Sequence, residues 1–516
     1  MCGLSLCGLS VCGLSLCGGV YPQAGCVIRG LLNAGEALEY PVNFGVTANS
    51  TSCAGTNRPA ALLITGDDDV SCSLGSPFER PLMDRATLSP ARPASAPAES
   101  LPESPPASPP ASPPESPTGL ARVRVILVLG SLIALGPLTI DMYLPALPAI
   151  ADDLVTTSAA VQLTLTGTLL GLGLGQLVIG PLSDAVGRRL PLIIGTAVHV
   201  ASSLLCLIAP NVAVLGVLRM MQGVGAAAAM VVALAVVRDL FSGRAAATAL
   251  SRLMLVMGAA PILAPTLGAA ILLTGSWRGV FAVLAVLGVA LMLVAIFLLK
   301  ETLPVERRRT GAFGPVLRTY RSLVTDKQFV VLALVAALGM SALFSYVSGS
   351  SFVLQDGFGL DQQQFGLVFG IGAIAIIGAS QVNVVLLNRY SPERIVFYAL
   401  AGSVVAGLVL TALAIAGGGL LAFVVPLFFL LGAIGFVLPN APALALSRHG
   451  EAAGTAAALL GATQFGLGAL IAPLVGVLGN DGPAMAITMT AGSAVAWLAL
   501  GATAWQSRRS ASAEPA

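Results

Sequence analysis

Twelve apolar segments, each about twenty residues long and nearly free of charge, follow one another in this chain. Their approximate bounds are 125–147, 158–181, 190–209, 212–236, 246–273, 278–299, 329–353, 364–388, 395–416, 420–440, 455–478 and 484–505. A bilayer offers no water to backbone N–H and C=O groups, so such segments must be helices, and they are too long for barrel strands. The pattern predicts an all-α integral membrane protein with twelve transmembrane helices.

Charged residues are few, and most of the basic ones fall on one side of these segments. Charged residues make up 10% of the chain, against about 25% in soluble domains. With the N-terminus inside, nineteen Lys and Arg residues fall in cytoplasmic segments and helix ends, whereas the outside loops carry Arg278 alone. Scarce Lys beside abundant Arg, Ala and Gly is typical of a GC-rich bacterial genome. We therefore expect a multi-pass protein of the bacterial inner membrane, with both termini in the cytoplasm.

The apolar segments form two groups of six, and the groups repeat weakly. The stretch from Gly258 to Gly268 in the fifth segment recurs from Gly466 to Gly476 in the eleventh, each ending in Ala-Pro-x-x-Gly. Internal repeats of this kind are common in transporter folds. The predicted organisation is a six-helix bundle at 121–299, a central cytoplasmic loop at 300–328, a second six-helix bundle at 329–506 and a tail at 507–516.

The residues before the first apolar segment have a different composition. Residues 1–88 are a low-complexity extension, in which four cysteines recur every five residues from Cys2 to Cys17. That period matches neither zinc-ligand spacing nor a disulfide framework. Residues 89–120 are a Pro/Ser-rich linker with too little apolar surface to fold. We expect the extension to be disordered or to lie upstream of the true start, with Met83 as the alternative start; a redox or metal tail is the sharper alternative.

Two formally charged residues lie well inside the apolar segments: Asp141 in the first and Arg219 in the fourth. A carboxylate at membrane depth costs roughly 3 kcal/mol or more, so it persists where it faces a wet cavity, has a partner or carries a proton. An arginine stays charged, so it can influence a nearby acid or hold substrate but cannot carry the proton. Both are predicted proton-coupling residues. The alternatives are that Asp141 only caps a broken, Pro-rich helix end and that Arg219 binds backbone carbonyls.

The connection after the second segment, from Gly180 to Arg189, is a tight turn with an acid beside two guanidinium groups. Glycines at 180 and 187 permit close approach of the chain. Asp184 is expected either to sit at a neighbouring helix N-terminus or to pair with Arg188 in one transport state and release it in another. The alternative is a simple basic anchor, formed by Arg188 and Arg189, with an incidental acid.

The fifth segment carries a stripe of small and helix-bending residues. Gly258, Pro261, Pro265 and Gly268 occur at i, i+3, i+7 and i+10. This spacing allows close contact between helices, and the prolines bend the helix. We therefore expect this segment to pack tightly against another helix.

These patterns together resemble the major facilitator superfamily. The turn from Gly180 to Arg189 resembles its signature loop between helices 2 and 3, although Ala185 stands where the family often has a basic residue. Arg219-Met-Met-Gln222 resembles its helix-4 motif, and the fifth segment resembles the antiporter motif of its exporters, with Ala269 in place of the second terminal glycine. The resemblance implies two pseudo-symmetric six-helix bundles that alternate access to a central cavity.

A narrower resemblance, spanning essentially all of 125–505, is to the bicyclomycin- and chloramphenicol-resistance (Bcr/CflA) type of multidrug transporter. The stretches that carry it are Asp141–Pro148, Tyr346–Gln355, Pro439–Pro442 and Ala453–Phe465. Polar candidates for the cavity are Asp141, Tyr143, Gln222, Tyr346, Asn383, Asn440 and Gln464. For each uncharged candidate, a hydrogen bond between helices is the alternative role. His199 in the third segment either titrates near neutral pH or is structural.

The resemblance implies a proton-coupled antiporter that exports drugs or other amphipathic small molecules. The proton gradient is its energy source, because the chain has no phosphate-binding Gly-rich loop with a lysine and needs no cofactor. A dedicated exporter of one endogenous metabolite or antibiotic on the same fold is the nearest alternative, and a membrane sensor with a cysteine tail is another. An enzyme is not expected, since the loops hold no catalytic cluster. The expected partners are the substrate, protons and the bilayer, with no nucleic acid, no metal and a monomeric state.

Overall fold

The computed structural model describes residues 26–31, 37–42, 119–308, 314–449 and 453–512. The chain divides into two compact units, Met1–Ala107 and Ser108–Ala516. The predicted linker up to residue 118, the cysteine repeat before Cys26 and the end of the tail lie outside the described residues.

The first unit contains a short antiparallel pair of strands, β1 (Cys26–Leu31) and β2 (Ala37–Val42). Cys26 pairs with Val42, and Leu31 pairs with Ala37. Branched residues, which favour strands, occur in both segments. The expectation that residues 1–88 are disordered or lie upstream of the true start stays a prediction.

The second unit is helical in its described residues. Its first half contains α1 (Gly119–Asp141), α2 (Leu147–Asp153), α3 (Ser158–Val186), α4 (Arg189–Cys206), α5 (Val212–Leu240), α6 (Gly243–Thr274) and α7 (Arg278–Leu298). A short helix, α8 (Gly314–Thr325), follows. Its second half contains α9 (Lys327–Ser351), α10 (Gln362–Leu386), α11 (Pro392–Ile415), α12 (Gly419–Leu446), α13 (Ala453–Ile471), α14 (Leu474–Val477) and α15 (Gly482–Ser512).

These helices provide twelve spans that are long and apolar enough to cross a membrane, over the described part of the chain. The predicted number of spans is therefore confirmed. Several spans begin at a polar residue that caps the helix: Thr157 accepts from the N–H of Ala160, Asn211 accepts from that of Val214, and Asp361 accepts from that of Gln364. Such caps satisfy N–H groups that have no partner inside the helix.

Three features differ from the simple pattern of uninterrupted helices. The first span breaks after Asp141, continues through a 3₁₀ turn at Leu144–Ala146 and resumes as α2, because Pro145 and Pro148 lack backbone N–H groups. The seventh span ends in a π-helical turn at Phe352–Gly357. The central loop, expected to be a plain connection, contains α8, and α15 extends beyond its predicted end.

The two halves repeat the same packing arrangement. In the first half, α5 packs against α1, α3 and α4, while α4 packs against α7. In the second half, α12 packs against α9, α10 and α11, while α11 packs against α15. The halves meet where α3 packs against α13 and where α6 packs against α10. The described helices therefore form two equivalent six-span bundles, as the weak sequence repeat predicted.

The bundle has two different ends. We term the end with the α3–α4, α5–α6 and α10–α11 connections the basic end, and the other the opposite end. Near the opposite end, one apolar cluster spans both halves and includes Met142, Phe344 and Val475. Towards the basic end, each half has its own cluster, one including Val236 and the other Ala445. The halves thus share a core at one end and have separate cores at the other.

Candidate functional site

Asp141 lies at the break in the first span, as the last of the 23 residues of α1. The residue is 5% exposed, and its carboxylate makes no hydrogen bond or ion pair with any residue in the described ranges. It interacts electrostatically with Tyr346 of α9, whose ring stacks on Phe369 at a centroid distance of 5.0 Å. The acid therefore belongs to the first half but lies near a helix of the second.

Arg219 of α5 is fully buried on the first-half side of the same break. Its Nη1 donates to the backbone oxygen of Thr139 at 3.0 Å and to Oε1 of Gln222 at 2.6 Å. Its guanidinium carbon lies 4.3 Å from the ring centroid of Tyr143, a cation–π geometry. Nε and Nη2 have no hydrogen-bond partner in the described structure, and no ion pair joins Arg219 to Asp141. Arg219 thus binds a backbone oxygen, the Gln222 side chain and an aromatic face.

A buried network of hydrogen bonds fixes Gln222, the side chain that accepts from Arg219. Gln222 Nε2 donates to Ser203 Oγ at 2.7 Å, and Ser203 Oγ donates to the backbone oxygen of His199 at 2.7 Å. His199 Nδ1 lies 3.2 Å from the backbone oxygen of Gln222. A carbonyl oxygen only accepts, so Nδ1 carries the hydrogen. Both ends of the Gln222 amide are therefore used inside the protein, and His199 has a structural contact.

Tyr143 completes the wall around Arg219. Its hydroxyl lies 2.7 Å from Thr164 Oγ1, and Thr164 Oγ1 donates to the backbone oxygen of Val161 at 2.6 Å. Because the Thr164 hydrogen is used in that bond, Tyr143 is the donor between the two hydroxyls. Tyr143 and Thr164 are both fully buried. The Tyr143 ring therefore covers one face of the Arg219 guanidinium and is itself fixed by Thr164.

Besides Tyr346, three of the predicted polar residues lie in the second half: Asn383, Asn440 and Gln464. Asn440 Nδ2 of α12 donates to Asn383 Oδ1 of α10 at 2.7 Å and to the backbone oxygen of Phe436 at 2.8 Å. Both asparagines are 3% exposed, so they join α10 to α12 in this state. Gln464 on α13 is partly exposed. Of the six uncharged candidates, Gln464 is the one with a partly exposed side chain.

Hydrogen bonds between the halves close the opposite end of the bundle. Ser351 Oγ of α9 donates to the backbone oxygen of Leu144 at 2.7 Å. Gln162 of α3 donates through its side-chain amide to the side chain of Asn480, which precedes α15. These bonds reinforce the apolar cluster shared by both halves, and they place the closed side just beyond Asp141.

The stripe of α6 packs against both halves. A Cβ at Gly268 would lie 2.2 Å from the backbone oxygen of Met142, at the break after α1. A Cβ at Gly258 would lie 3.5 Å from Ile377 of α10, an ordinary contact. Pro261 and Pro265 lie inside α6 between these two glycines. The absence of a side chain at Gly268 therefore allows α6 to meet the broken helix directly.

A cleft opens between the halves at the basic end. Its volume is about 330 Å³. The lining includes residues from α3, α5, α8 and α13, among them Gln176, Asp184, Arg238, Val316 and Thr455. The cleft lies where the two halves have separate cores, so the state shown is closed at the opposite end and open at the basic end.

A cluster of charged groups lies at the rim of this cleft. Arg188 Nη1 donates to Asp184 Oδ1 at 2.5 Å and to Ser183 Oγ at 2.9 Å, and its Nε donates to Asp239 Oδ2 of α5 at 2.9 Å. Burial alone would lower the pKa of Arg188, but Asp239 and Asp184 outweigh it and raise that pKa. Of the two arrangements expected for Asp184, this state shows the pair with Arg188.

Glu301, just after α7, holds the start of α4. Its Oε1 accepts from the backbone N–H of Arg188 at 2.9 Å, and its Oε2 accepts from that of Arg189 at 3.1 Å. A carboxylate at a helix N-terminus satisfies unpaired N–H groups and complements the helix dipole. Burial would raise the pKa of Glu301, but backbone donors, including Leu303, outweigh it and lower that pKa below its ordinary 4.5. Gly187 turns the chain here with φ of 102°.

Sequence reasoning missed Glu301, Asp239 and Ser203. Glu301 and Arg188 are 113 residues apart, so no local spacing connects them. An acid directly after the sixth apolar segment was the one available signal. Among the described residues, no three His, Cys, Asp or Glu side chains come together as metal ligands would.

Comparisons with known proteins bear on the family. A family model described as Major Facilitator Superfamily matches residues 129–473. An uncharacterized MFS-type transporter, YdgK, from Bacillus subtilis is 40% identical over 362 residues, covering 70% of this chain and 90% of the relative. A bicyclomycin resistance protein homolog from Haemophilus influenzae is 32% identical over 367 residues, covering 71% and 92%. The multidrug resistance protein MdtL of Klebsiella pneumoniae is 31% identical over 288 residues, covering 56% and 73%.

Solved structures share the fold. The xylose transporter XylE from E. coli, in a partially occluded inward open conformation, matches with a TM-score of 0.60 at 13% identity, covering 74% of this chain and 97% of that one. The human organic anion transporter MFSD10 matches with a TM-score of 0.56 at 18% identity, covering 74% and 100%. Family model, relatives and fold agree that this chain is a multi-pass membrane transporter and not an enzyme. It belongs to the major facilitator superfamily.

Proposed function

We propose that this transporter exports drugs or other amphipathic small molecules across the bacterial inner membrane in exchange for protons. The relatives named for bicyclomycin and multidrug resistance support this class of cargo. The excess of basic residues supports a cytoplasmic location for the basic end and both termini. In that orientation the cleft faces the cytoplasm, and the state shown is ready to accept cargo from inside the cell.

One observation carries the proposal: the buried carboxyl of Asp141 has no partner among the described residues. A carboxylate at membrane depth must have a partner, face water or carry a proton. Arg219 does not serve as the partner in this state, because no ion pair among the described residues joins it to Asp141 and its Nη1 binds Thr139 and Gln222 instead. Asp141 is therefore free to exchange a proton or a cationic cargo group as its surroundings change.

Coupling follows from competition for Asp141. Cargo entering from the cytoplasm binds the deprotonated acid, and the halves then rock to open the opposite end. A proton from outside displaces the cargo there, and the protonated site returns inward. If proton and cargo compete for one site, each lowers the affinity of the other by the same factor. No nucleotide or other cofactor takes part in this cycle, since the proton gradient supplies the energy.

The remaining predicted residues take supporting roles in this scheme. Arg219, Tyr143 and Gln222 fix the geometry of the break that presents Asp141. On the second half, Tyr346 and Gln464 would contact the cargo. The amide pair of α10 and α12 keeps that half rigid in the cytoplasm-facing state.

The charged rim supplies the conformational latch. Asp184 lies on one wall of the cleft, and Gly454 and Thr455, at the start of α13, lie on the other. When the cleft closes, the N-terminus of α13 approaches Asp184 and competes with Arg188 for its carboxylate. The Asp184–Arg188 pair is thus the form of the latch when the cleft is open.

The test is transport in proteoliposomes with an imposed pH gradient, across a panel of antibiotics and dyes. Asp141→Asn mimics the protonated acid, so it should abolish transport driven by the gradient and weaken cargo binding at every pH. Asp152→Asn changes an exposed acid of α2 and serves as the matched control. Full gradient-driven transport by Asp141→Asn would overturn the coupling role. Protection against a single chemical class across the panel would instead identify a dedicated exporter.

A further inference from the structure

The short helix α8 has an outer face that no other described element covers. Leu317 is 68% exposed and Val324 is 59% exposed. They are seven residues apart, so they lie on one side of the helix. Arg318 and Arg321 are exposed beside them, and α8 contains no acidic residue. The outer face is therefore an apolar strip bordered by two positive charges.

The inner face of α8 is anchored to both halves of the transporter. Tyr320 donates through its hydroxyl to the backbone oxygen of Leu177 in α3 at 3.2 Å. Leu323 is 2% exposed and belongs to the second-half apolar cluster with Phe329. Val316 lines the cleft at the basic end. The orientation of α8 is thus fixed, and the strip with its arginines must point away from the protein.

We propose that the outer face of α8 lies on the bilayer surface and binds anionic phospholipid headgroups. A helix with an exposed apolar strip and arginines beside it matches the chemistry of an interface between acyl chains and headgroups. Arginine pairs with phosphate through two parallel N–H donors, which favours anionic lipid over a zwitterion. Exposed Arg307 and Lys327 lie on either side of α8, but Glu306 and Asp326 precede them, so the excess positive charge comes from Arg318 and Arg321.

Lipid binding at this face would act on the transport cycle through the inner face. Tyr320 binds the first half, and Leu323 packs in the second. A helix held on the membrane therefore restrains both halves at the mouth of the cleft. Anionic lipid should stabilise the state with the cleft open, in which these contacts exist.

The experiment measures lipid contact directly and does not depend on transport. Leu317→Trp is reconstituted in phosphatidylcholine vesicles that contain either brominated phosphatidylglycerol or brominated phosphatidylcholine, and quenching of tryptophan fluorescence is measured. The parent protein, with its three tryptophans, gives the background. We expect stronger quenching by the brominated anionic lipid, with local enrichment of roughly fivefold, the effect of about one cation at an anionic surface. High salt should reduce the difference.

The double variant Arg318→Gln/Arg321→Gln should remove the preference while leaving quenching by the zwitterionic lipid in place. Arg394→Gln, at an exposed arginine of α11, is the matched control and should change nothing. Equal quenching by both lipids, or no quenching of the added tryptophan, would overturn the proposal; the latter would mean that water or a protein covers this face. Val324→Trp repeats the test if Leu317→Trp does not fold. A transporter that fails to use protons would still show the lipid preference, so the two proposals fail separately.

Discussion

The hydroxyl of Ser351 donates to the backbone oxygen of Leu144 across the boundary between the two halves, at 2.7 Å. Leu144 belongs to the 3₁₀ turn after α1, where carbonyl groups lose their helical partners. A buried carbonyl needs a partner, and here the other half provides it. This bond exists only while the opposite end is closed, so it stabilises the state shown relative to its alternative.

Ser351→Ala should shift the transporter towards opening at the opposite end. A neutral hydrogen bond contributes about 1 kcal/mol, so the population ratio should change roughly fivefold. Distances between spin labels on α3 and α13, placed where these helices reach the opposite end of the bundle, would measure the shift. Ser350→Ala is the matched control, because Ser350 bonds within its own helix to Val347. Equal distance distributions in the two variants would contradict the proposed closing role.

Gly268→Ala should disrupt the contact between α6 and the broken first span. Its Cβ would lie 2.2 Å from the backbone oxygen of Met142, and backbone cannot move as a side chain does. Overpacking of this kind costs about 1–3 kcal/mol. The melting temperature in detergent and the transport rate should both fall. Gly258→Ala, from the same stripe, meets only the Ile377 side chain at 3.5 Å and should be tolerated.

Arg219→Lys should destabilise the first half although it retains the charge. A lysine cannot place a planar group over Tyr143, and its shorter side chain does not bring a donor to the position from which Nη1 binds both Thr139 and Gln222. Hydrogen bonds from charged groups contribute about 2 kcal/mol each, so a clear fall in melting temperature is expected. Arg252→Lys, at an exposed site on α6, should have little effect. A similar melting temperature for both variants would show that the network around Arg219 is not specific to arginine.

Glu301→Gln should destabilise the protein at neutral pH and have less effect in acid. The pKa of Glu301 is lower in the folded protein than its ordinary 4.5. Its stabilising contribution is therefore present above that ordinary value and is lost as pH falls through the lower folded value. Melting curves at neutral, mildly acidic and strongly acidic pH would follow the loss. Glu306→Gln alters an exposed acid nearby and should leave the melting temperature unchanged at every pH. If Glu301→Gln lowered the melting temperature as much in strong acid as at neutral pH, the stabilising role of the ionised Glu301 would be contradicted.

The membrane architecture followed from the sequence because its cause is local. Each apolar run of sufficient length has no option in lipid except a helix, and the spans of the structure agree with the predicted ones in number. The break after Asp141 was also foreseeable, because Pro145 and Pro148 cannot donate backbone hydrogen bonds.

The partners of the site residues could not be predicted, because they depend on contacts between distant segments. Asn383 and Asn440 were candidates for the cavity, with a hydrogen bond between helices as the alternative role, and in this state each bonds to the other. Asp141 and Arg219 share the same depth, but the side chains around the break direct them to different neighbours. The helical nature of α8 was missed because the seven basic residues of the connection 300–328 are typical of a charged loop.

The apolar cluster that joins the halves at the opposite end has an energetic consequence for the cargo. When the transporter switches, Met142, Phe344 and their neighbours must separate and would meet water in an empty cavity. Exposing such surface is unfavourable by about 25 cal/mol per Å². An apolar cargo molecule bound between the separating halves would shield these side chains from water and lower the energy barrier to the conformational change. Under the proposed function, we therefore expect the closed end of the bundle to favour apolar cargo, independently of any polar contact.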